Sequence, residues 1–285
     1  MADSGTGCII AALFPRPLPA MQPLLNIAVR AARRAGDIIV RAIPRLEAVE
    51  IQSKGRNDFV TEVDRAAEAD IIETIRRLHP DHAFLAEESG ASANSSDVLW
   101  IIDPLDGTTN FMHGFPTFAV SIACQIRGRL EHAVVFDVMR QELFTASRGE
   151  GAQLDGRKIR VSKQATLEGA LIATGFPYRA DSPWLDEYLA MLKSVMTRAA
   201  GLRRPGAAAI DLAYVAAGRV DGFWEMGLKP WDTAAGTLLI TEAGGRVGTL
   251  TGEEYKQGGH IVGGTPKVFA ALVAAIQPHV TDAIR

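Results

Sequence analysis

Apolar residues return at helical spacing in two early stretches and then switch to short, strand-like runs. Leu24, Ala28, Ala31, Ala35, Ile38 and Ala42 follow Pro23 at helical intervals, and Pro44 stops that run. A second helix is expected over about Thr61–Leu78, with Val63, Ala67, Ile71, Ile75 and Leu78 inward and His79-Pro80 as its end. Short β-rich runs then appear at Phe84–Ala86, Val98–Ile102, Phe118–Ile126, Ala133–Val138 and Leu143–Ala146, and "LDGRK" reads as a hairpin turn at Asp155-Gly156. Residues 21–165 therefore predict an α+β half, two helices laid against a mostly antiparallel sheet.

Residues 166–285 alternate instead. A strand at Leu171–Thr174 precedes a helix near Trp184–Thr197 whose Leu185, Leu189, Leu192 and Met196 share one face. A helix over Ala208–Ala217 is closed by Gly218, and a strand follows at Val220–Trp224. The next helix opens at Trp231-Asp232 and ends at Gly244-Gly245, and a strand at Ile261–Val262 leads to a helix after Pro266. Helices alternating with strands imply an α/β half. The boundary near Ser162–Glu168 has no linker composition, so the halves are expected to share an interface.

The first twenty residues break the pattern. "MADSGTGCIIAALFPRPLPA" has three prolines, a short apolar patch and no basic region before it, which makes a poor secretory signal. Residues 1–20 read as a disordered, dispensable extension before the helical register that starts at Met21. The 285 residues are 47% apolar with a formal net charge of −3, which suits a large core and gives no global reason to expect nucleic acid or anionic membrane as partner. The two cysteines, Cys8 and Cys124, exclude a disulfide framework and fit a cytoplasmic location. No apolar run approaches the ~18 residues of a membrane span.

Acidic residues at element ends change the picture. They are Asp64 in "DFVTEVD", Glu87 and Glu88 in "FLAEESG", Asp103 and Asp106 in "IIDPLDGTTN", and Asp232 in "KPWDTAAG". Each has an ordinary explanation: Asp64 stands three residues after Thr61 and can complete a capping box, Asp232 can cap the helix it opens, and Glu87 and Glu88 can be solvated loop acids. Together they point elsewhere. Glu87 and Asp103 directly follow apolar strands, where α/β proteins build sites. Four converging carboxylates repel unless cations neutralise them. An oxygen-only set selects Mg²⁺, with Mn²⁺ as substitute, whereas zinc would want the Cys or His these motifs lack. His113 and His132 read as surface residues or as supporting residues around the site.

Gly107, Thr108 and Thr109 follow the second aspartate and offer backbone N–H groups at a helix start, where an anion is favoured. Cations beside a phosphate cradle mean phosphoryl chemistry. The chain has no GxxxxGK[ST] loop, kinase signature or GxGxxG, so hydrolysis of a phosphate ester is the natural reading.

"DFVTEVDRAAE", "FLAEES", "WIIDPLDGTTNF" and "WDTAAG" occur in the order of the motifs of the inositol monophosphatase family, which the chain resembles from about Met21 to its end. "RRPGAAAIDLAYVAAGRVDGFWEMGLKPWD" is most similar to that family's bacterial SuhB branch. The resemblance implies a layered αβαβα sandwich of the inositol monophosphatase/fructose-1,6-bisphosphatase type. It also implies a lithium-sensitive, Mg²⁺-dependent phosphatase of inositol monophosphate, working as a homodimer with two to three ions. Glu87, Asp103 and the Leu105 carbonyl would hold the first ion, and Asp103, Asp106 and Asp232 the second. Glu87 with waters would hold a weaker third. Thr108, oriented by Asp64, would position and deprotonate the attacking water. The Gly107 and Thr108 amides would hold phosphate oxygens, and Ala208 and Glu225 would contact inositol hydroxyls.

Two departures accompany the match. One residue is missing between Lys54, which matches a lysine near the family's site, and Asp58. Pro205 stands where a small hydroxyl residue is expected before Gly206, and it removes an amide donor from that loop. Rival substrates are fructose 1,6-bisphosphate and 3′-phosphoadenosine nucleotides. Glu225 favours a polyol, since a carboxylate accepts from several hydroxyls. A rival role from another class is implied by the SuhB branch: ribosomal RNA transcription antitermination with NusA and RNA polymerase. Arg198, Arg203 and Arg204 could serve that contact or form a solvated basic face.

Overall fold

A computed structural model describes residues 23–55, 58–177 and 183–284. The expected extension at residues 1–20 and the side chain of Lys54 lie outside the described residues.

Helix α1 (Pro23–Ala42) buries an alanine-rich stripe, Ala28, Ala31, Ala32 and Ala35 with Ile27 and Ile39. After the hairpin β1 (Ile51–Gly55) and β2 (Asp58–Thr61), helix α2 (Glu62–Arg76) packs beside it. Both cover one face of an eight-stranded sheet. Its strands are β3 (Ala83–Ala86), β4 (Gly90–Ala91), β5 (Val98–Asp106), β6 (Ala119–Ile126), β7 (Arg129–Asp137), β8 (Glu142–Ser147), β9 (Gly151–Leu154) and β10 (Arg157–Lys158), with the short helix α3 (Thr108–Met112) between β5 and β6. The order is β10-β9-β8-β7-β6-β5-β3-β4, and the β3–β5 pair is parallel while every other pair is antiparallel. The expected hairpin turn at Asp155-Gly156 joins β9 to β10.

The second sheet has five strands, ordered β12-β11-β13-β15-β14. They are β11 (Leu171–Thr174), β12 (Gly201–Arg203), β13 (Gly222–Leu228), β14 (Arg246–Gly248) and β15 (Gly259–Gly264). Helices α4 (Leu185–Met196) and α7 (Pro266–Ile276) cover its outer face, while α5 (Ala208–Ala216) and α6 (Pro230–Glu242) lie between the two sheets.

Strand periodicity builds these layers. Trp100, Ile102, Val134 and Phe136 point to α1 and α2, while Ile101, Ala133 and Val135 point to α5 and α6. In the second sheet Phe223 and Ile261 face α5 and α6, and Trp224 and Val262 face α4 and α7. A helix wedged between two sheets buries most of its circumference, and α5 and α6 do so largely with apolar residues, their alanines letting both sheets approach. The result is the layered αβαβα arrangement.

Four expectations need correction. Leu78 is 65% exposed, because α2 ends at Arg76 and the chain has left the helical phase before that residue. On α4 the buried residues are Tyr188, Met191 and Val195, while Leu185 and Leu189 are each 49% exposed and Met196 58%. An aromatic anchor sets that rotation: the Tyr188 hydroxyl bonds Thr174 at 3.0 Å and its ring stacks on Trp224. His132 is neither on the surface nor beside the acidic residues; it is buried on β7, with Nδ1 2.9 Å from Ser147 Oγ on the next strand. Finally, β5 does not stop before Asp103 but runs on through Asp106.

Candidate active site

Asp103 and Asp106 are three residues apart, so a regular strand would turn them to opposite faces. The strand is not regular there. Asp103 pairs with Ser121 and Asp106 with Ala119, so three steps on β5 match two on β6. This one-residue bulge at Pro104-Leu105 corrects the phase and brings both carboxylates to one side. Proline suits the extra position because it has no N–H to leave unpaired, and the Leu105 N–H donates to Asp103 Oδ1 at 3.0 Å.

Gly107 follows in the left-handed region with φ +97°, and a Cβ there would lie 2.9 Å from the Thr117 carbonyl. The turn opens α3 and aims Thr108 at α2. Thr108 Oγ1 stands 2.9 Å from Asp64 Oδ1 and 3.1 Å from the Leu105 carbonyl. Asp64 is fully buried, and its other oxygen accepts from the Thr61 N–H at 2.9 Å and from the Thr61 hydroxyl. Capping and orienting are therefore simultaneous: one oxygen closes the α2 capping box and the other receives Thr108. Burial raises the Asp64 pKa, opposed by those hydrogen bonds.

Glu87 opens the turn that follows β3, and its N–H donates to the Ile102 carbonyl at 3.1 Å, one residue before Asp103. Asp103, 2% exposed, has its pKa raised well above the usual range. Burial is the main cause, followed by the charges of Glu87, Asp106 and Asp232 and a hydrogen bond with the Glu87 side chain. A hydrogen bond between two carboxyl groups needs a shared proton, and a cation between them would supply the same neutralisation. Asp106 is pushed up to about 8 by burial and then by the charge of Asp232, against the Ala209 and Ala208 amides. Asp232 opens α6, where it accepts from the Lys229 N–H at 2.7 Å.

The four expected acids thus converge where β3 and β5 end and α6 begins. Among the described residues no three His, Cys, Asp or Glu side chains already form a closed ligand set around one point. Asp103, Asp106 and Asp232 each accept instead from a backbone N–H. The donor set is all oxygen, with Asp103 buried and Glu87, Asp106 and Asp232 half-buried, which fits hard divalent cations.

Across the cleft lies the start of α5. Asp106 Oδ2 accepts from the Ala209 N–H at 2.6 Å, so the second aspartate is tied to the helix that begins at Ala208. Glu225 sits on β13 against Gly175, where a Cβ would fall 2.0 Å from the Glu225 Cδ. The Pro205 loop is held by Asn110, whose Nδ2 donates to the carbonyls of Pro205 at 2.8 Å and Thr117 at 2.7 Å. Arg204 is half-buried with its guanidinium 5.2 Å from the Phe176 ring centre, so the basic cluster is not one solvated face; Arg198 and Arg203 are exposed. His113 is exposed as expected.

Sequence reasoning missed Asn110, Gly175, Asp211 and Glu68. Asn110 was legible inside "DGTTNF", but its partner lies 95 residues away. Asp211 is buried, and burial together with the charges of Glu225 and Asp106 raises its pKa well above the usual range, against the pull of Arg204. In sequence it looks like an ordinary acid in the first turn of a helix.

A layered αβαβα sandwich with a carboxylate cluster at its strand ends, a bulged Asp-Pro-Leu-Asp and an Asp–Thr pair defines a class of phosphatases. Residues 20–281 match the model of the inositol monophosphatase family, and the chain belongs to that family, in its SuhB type. It is 57% identical over 270 residues to the Nus factor SuhB of Pseudomonas aeruginosa, covering 93% of this chain and 100% of the relative. The crystal structure of the extragenic suppressor protein suhB from Bartonella henselae is similar with a TM-score of 0.88 and 41% identity, over 91% of this chain and 100% of that one. The inositol monophosphatase of Anabaena follows with a TM-score of 0.78 and 38% identity, over 90% and 95% of the two chains. The chain's activity is that of a phosphatase of this family. Among the described residues no helix is long and apolar enough to cross a membrane.

Proposed function

We propose that the chain hydrolyses myo-inositol monophosphate to inositol and phosphate in a Mg²⁺-dependent reaction. The observation that carries this reading is the convergence of Glu87, Asp106 and Asp232 on Asp103 beside the Thr108–Asp64 pair. Glu87, Asp103, Asp106, Asp232 and the Leu105 carbonyl would hold two to three Mg²⁺ ions, or Mn²⁺ in their place. When bound, these ions supply positive charge to the attacking and leaving oxygens.

The chain's own residues do the rest. The Thr108 hydroxyl donates to Asp64 Oδ1 at 2.9 Å, and Oγ1 keeps a lone pair for the attacking water. As water attacks phosphorus its proton passes to Thr108 Oγ1 and the threonine proton to Asp64, while the ester P–O bond breaks and the departing inositol oxygen takes its proton from a second water. Burial helps, since a carboxylate with a raised pKa is the stronger base. The Gly107 and Thr108 amides orient phosphate oxygens at the start of α3. Glu225 and the Ala208 end of α5 receive the polyol hydroxyls.

The test is phosphate release with Mg²⁺ from inositol 1-phosphate, fructose 1,6-bisphosphate and 3′-phosphoadenosine 5′-phosphate. Inositol 1-phosphate is expected to be fastest, and a clear preference for either rival would reassign the substrate. Gly175→Ala should act on the same end of the cleft. Its Cβ would overlap the Glu225 carboxylate and displace it, so KM for the polyol is expected to rise about tenfold while Mg²⁺ dependence stays as in the wild type. Unchanged KM would remove Glu225 from substrate recognition.

A second role is supported by the 57% identical relative, which is a Nus factor. Binding of purified NusA or RNA polymerase to the full chain would establish it, and no binding at micromolar concentrations would exclude it. The exposed Leu185 and Leu189 on α4 support the homodimer, which sedimentation would reveal as twice the chain mass. A monomer at micromolar concentration would reject it.

A further inference from the structure

Helix α2 carries a second buried acid one turn after Asp64. Glu68 is 3% exposed, and positions i and i+4 place it on the same side of the helix. Its carboxylate is spent on the turn after Glu87: Oε2 accepts from the Glu88 N–H and Oε1 from the Ser89 N–H, each at 2.8 Å. Hydrogen bonds from two backbone amides to one carboxylate are charge-assisted and set direction as well as distance. On its other side, the Glu87 N–H is held by the Ile102 carbonyl of β5. Glu87 is thus fixed between two points, one beside Asp103 and one on α2.

We propose that Glu68 is the positioning residue for Glu87, clamping the Glu87–Ser89 turn so that the Glu87 carboxylate meets Asp103. The proposal rests on the reading of Glu87 as a cation ligand. It gives α2 a double task. Asp64 orients Thr108, Glu68 orients Glu87, and a single helical turn fixes the attacking side of the site relative to the cation side. Groups that hold a ligand's backbone or its second oxygen commonly tune cation affinity 10- to 100-fold without touching the ion.

The experiment is a calorimetric titration of the metal-stripped full chain with MgCl₂, run on wild type, Glu68→Gln, Glu87→Gln and the double variant. Glutamine keeps the shape but turns one acceptor into an NH₂ facing an N–H. The expected result is Mg²⁺ binding about 10- to 100-fold weaker in Glu68→Gln, with a cooperative metal-free melt retained. In the Glu87→Gln background the second substitution should add less than about twofold, because Glu68 acts only through Glu87. Should Glu68→Gln lose its cooperative melt, Glu68→Asp keeps the charge but withdraws it from the amides, and carries the same expectation. Unchanged Mg²⁺ binding in a folded Glu68 variant, or a full additive loss in the double variant, would overturn the proposal. A wild-type chain that binds no Mg²⁺ would overturn the cation reading beneath it, a result distinct from either.

Discussion

Replacing Asp103 with asparagine is expected to stop phosphate release while making the metal-free protein more stable. The amide keeps the shape and can still accept from Leu105, but it removes the charge on which Glu87, Asp106 and Asp232 converge. Loss of that charge is expected to cost roughly a thousandfold in kcat, about 4 kcal/mol of transition-state stabilisation. The stability effect has the opposite sign. Asp103 and Asp106 have folded pKa values above their ordinary ones, so the native state holds protons more tightly than the unfolded chain. Stability without cations is therefore greatest at acid pH with respect to these groups. It is lost as pH rises from the ordinary carboxylate range towards about 8, the value for Asp106. In EDTA the wild type should melt lower at pH 8 than at pH 5 on this account. Asp103→Asn should flatten that slope and raise the pH 8 melting temperature by roughly 3–6 °C. A variant that melts lower than wild type at pH 8 without cations would mean that Asp103 is not under repulsion.

Thr108→Ala should separate chemistry from binding. The methyl side chain can neither relay a proton to Asp64 nor hold the attacking water, so kcat is expected to fall by about 10²- to 10⁴-fold. Mg²⁺ binding and KM should change by less than about threefold, since all four carboxylates remain. Thr108→Ser restores the hydroxyl and should recover activity to within about tenfold of wild type. A loss in Thr108→Ala matched by an equal loss of Mg²⁺ affinity would make Thr108 a cation ligand rather than a proton relay.

Much of the layering was legible because strands and helices carry their burial in their periods. Ile101 and Ile102 face opposite layers as alternation demands, and Thr61–Asp64 announces its capping box three residues ahead of time. The helix ends at Gly218 and Gly244 were readable for the same local reason. What periodicity could not weigh was choice between faces. In α4 the leucine stripe lost to Tyr188, whose ring and hydroxyl find partners on two different strands. The acids of the site were legible by position in their motifs, but their phase was not. Nothing local in "IIDPLD" shows that Pro104-Leu105 forms a bulge that turns both aspartates to one side. Glu68 read as one polar position among several on α2, because the amides that it holds lie 20 and 21 residues away.

The central claim is that this carboxylate cluster works by gathering cations for phosphate-ester hydrolysis. The measurement that tests it most directly is phosphate release from myo-inositol 1-phosphate by the EDTA-stripped full chain as Mg²⁺ is added back. The account predicts no release without Mg²⁺, a steep rise as Mg²⁺ is restored, and no such rise in Asp103→Asn. Release that persists in EDTA, or an Asp103→Asn response equal to that of wild type, would contradict it.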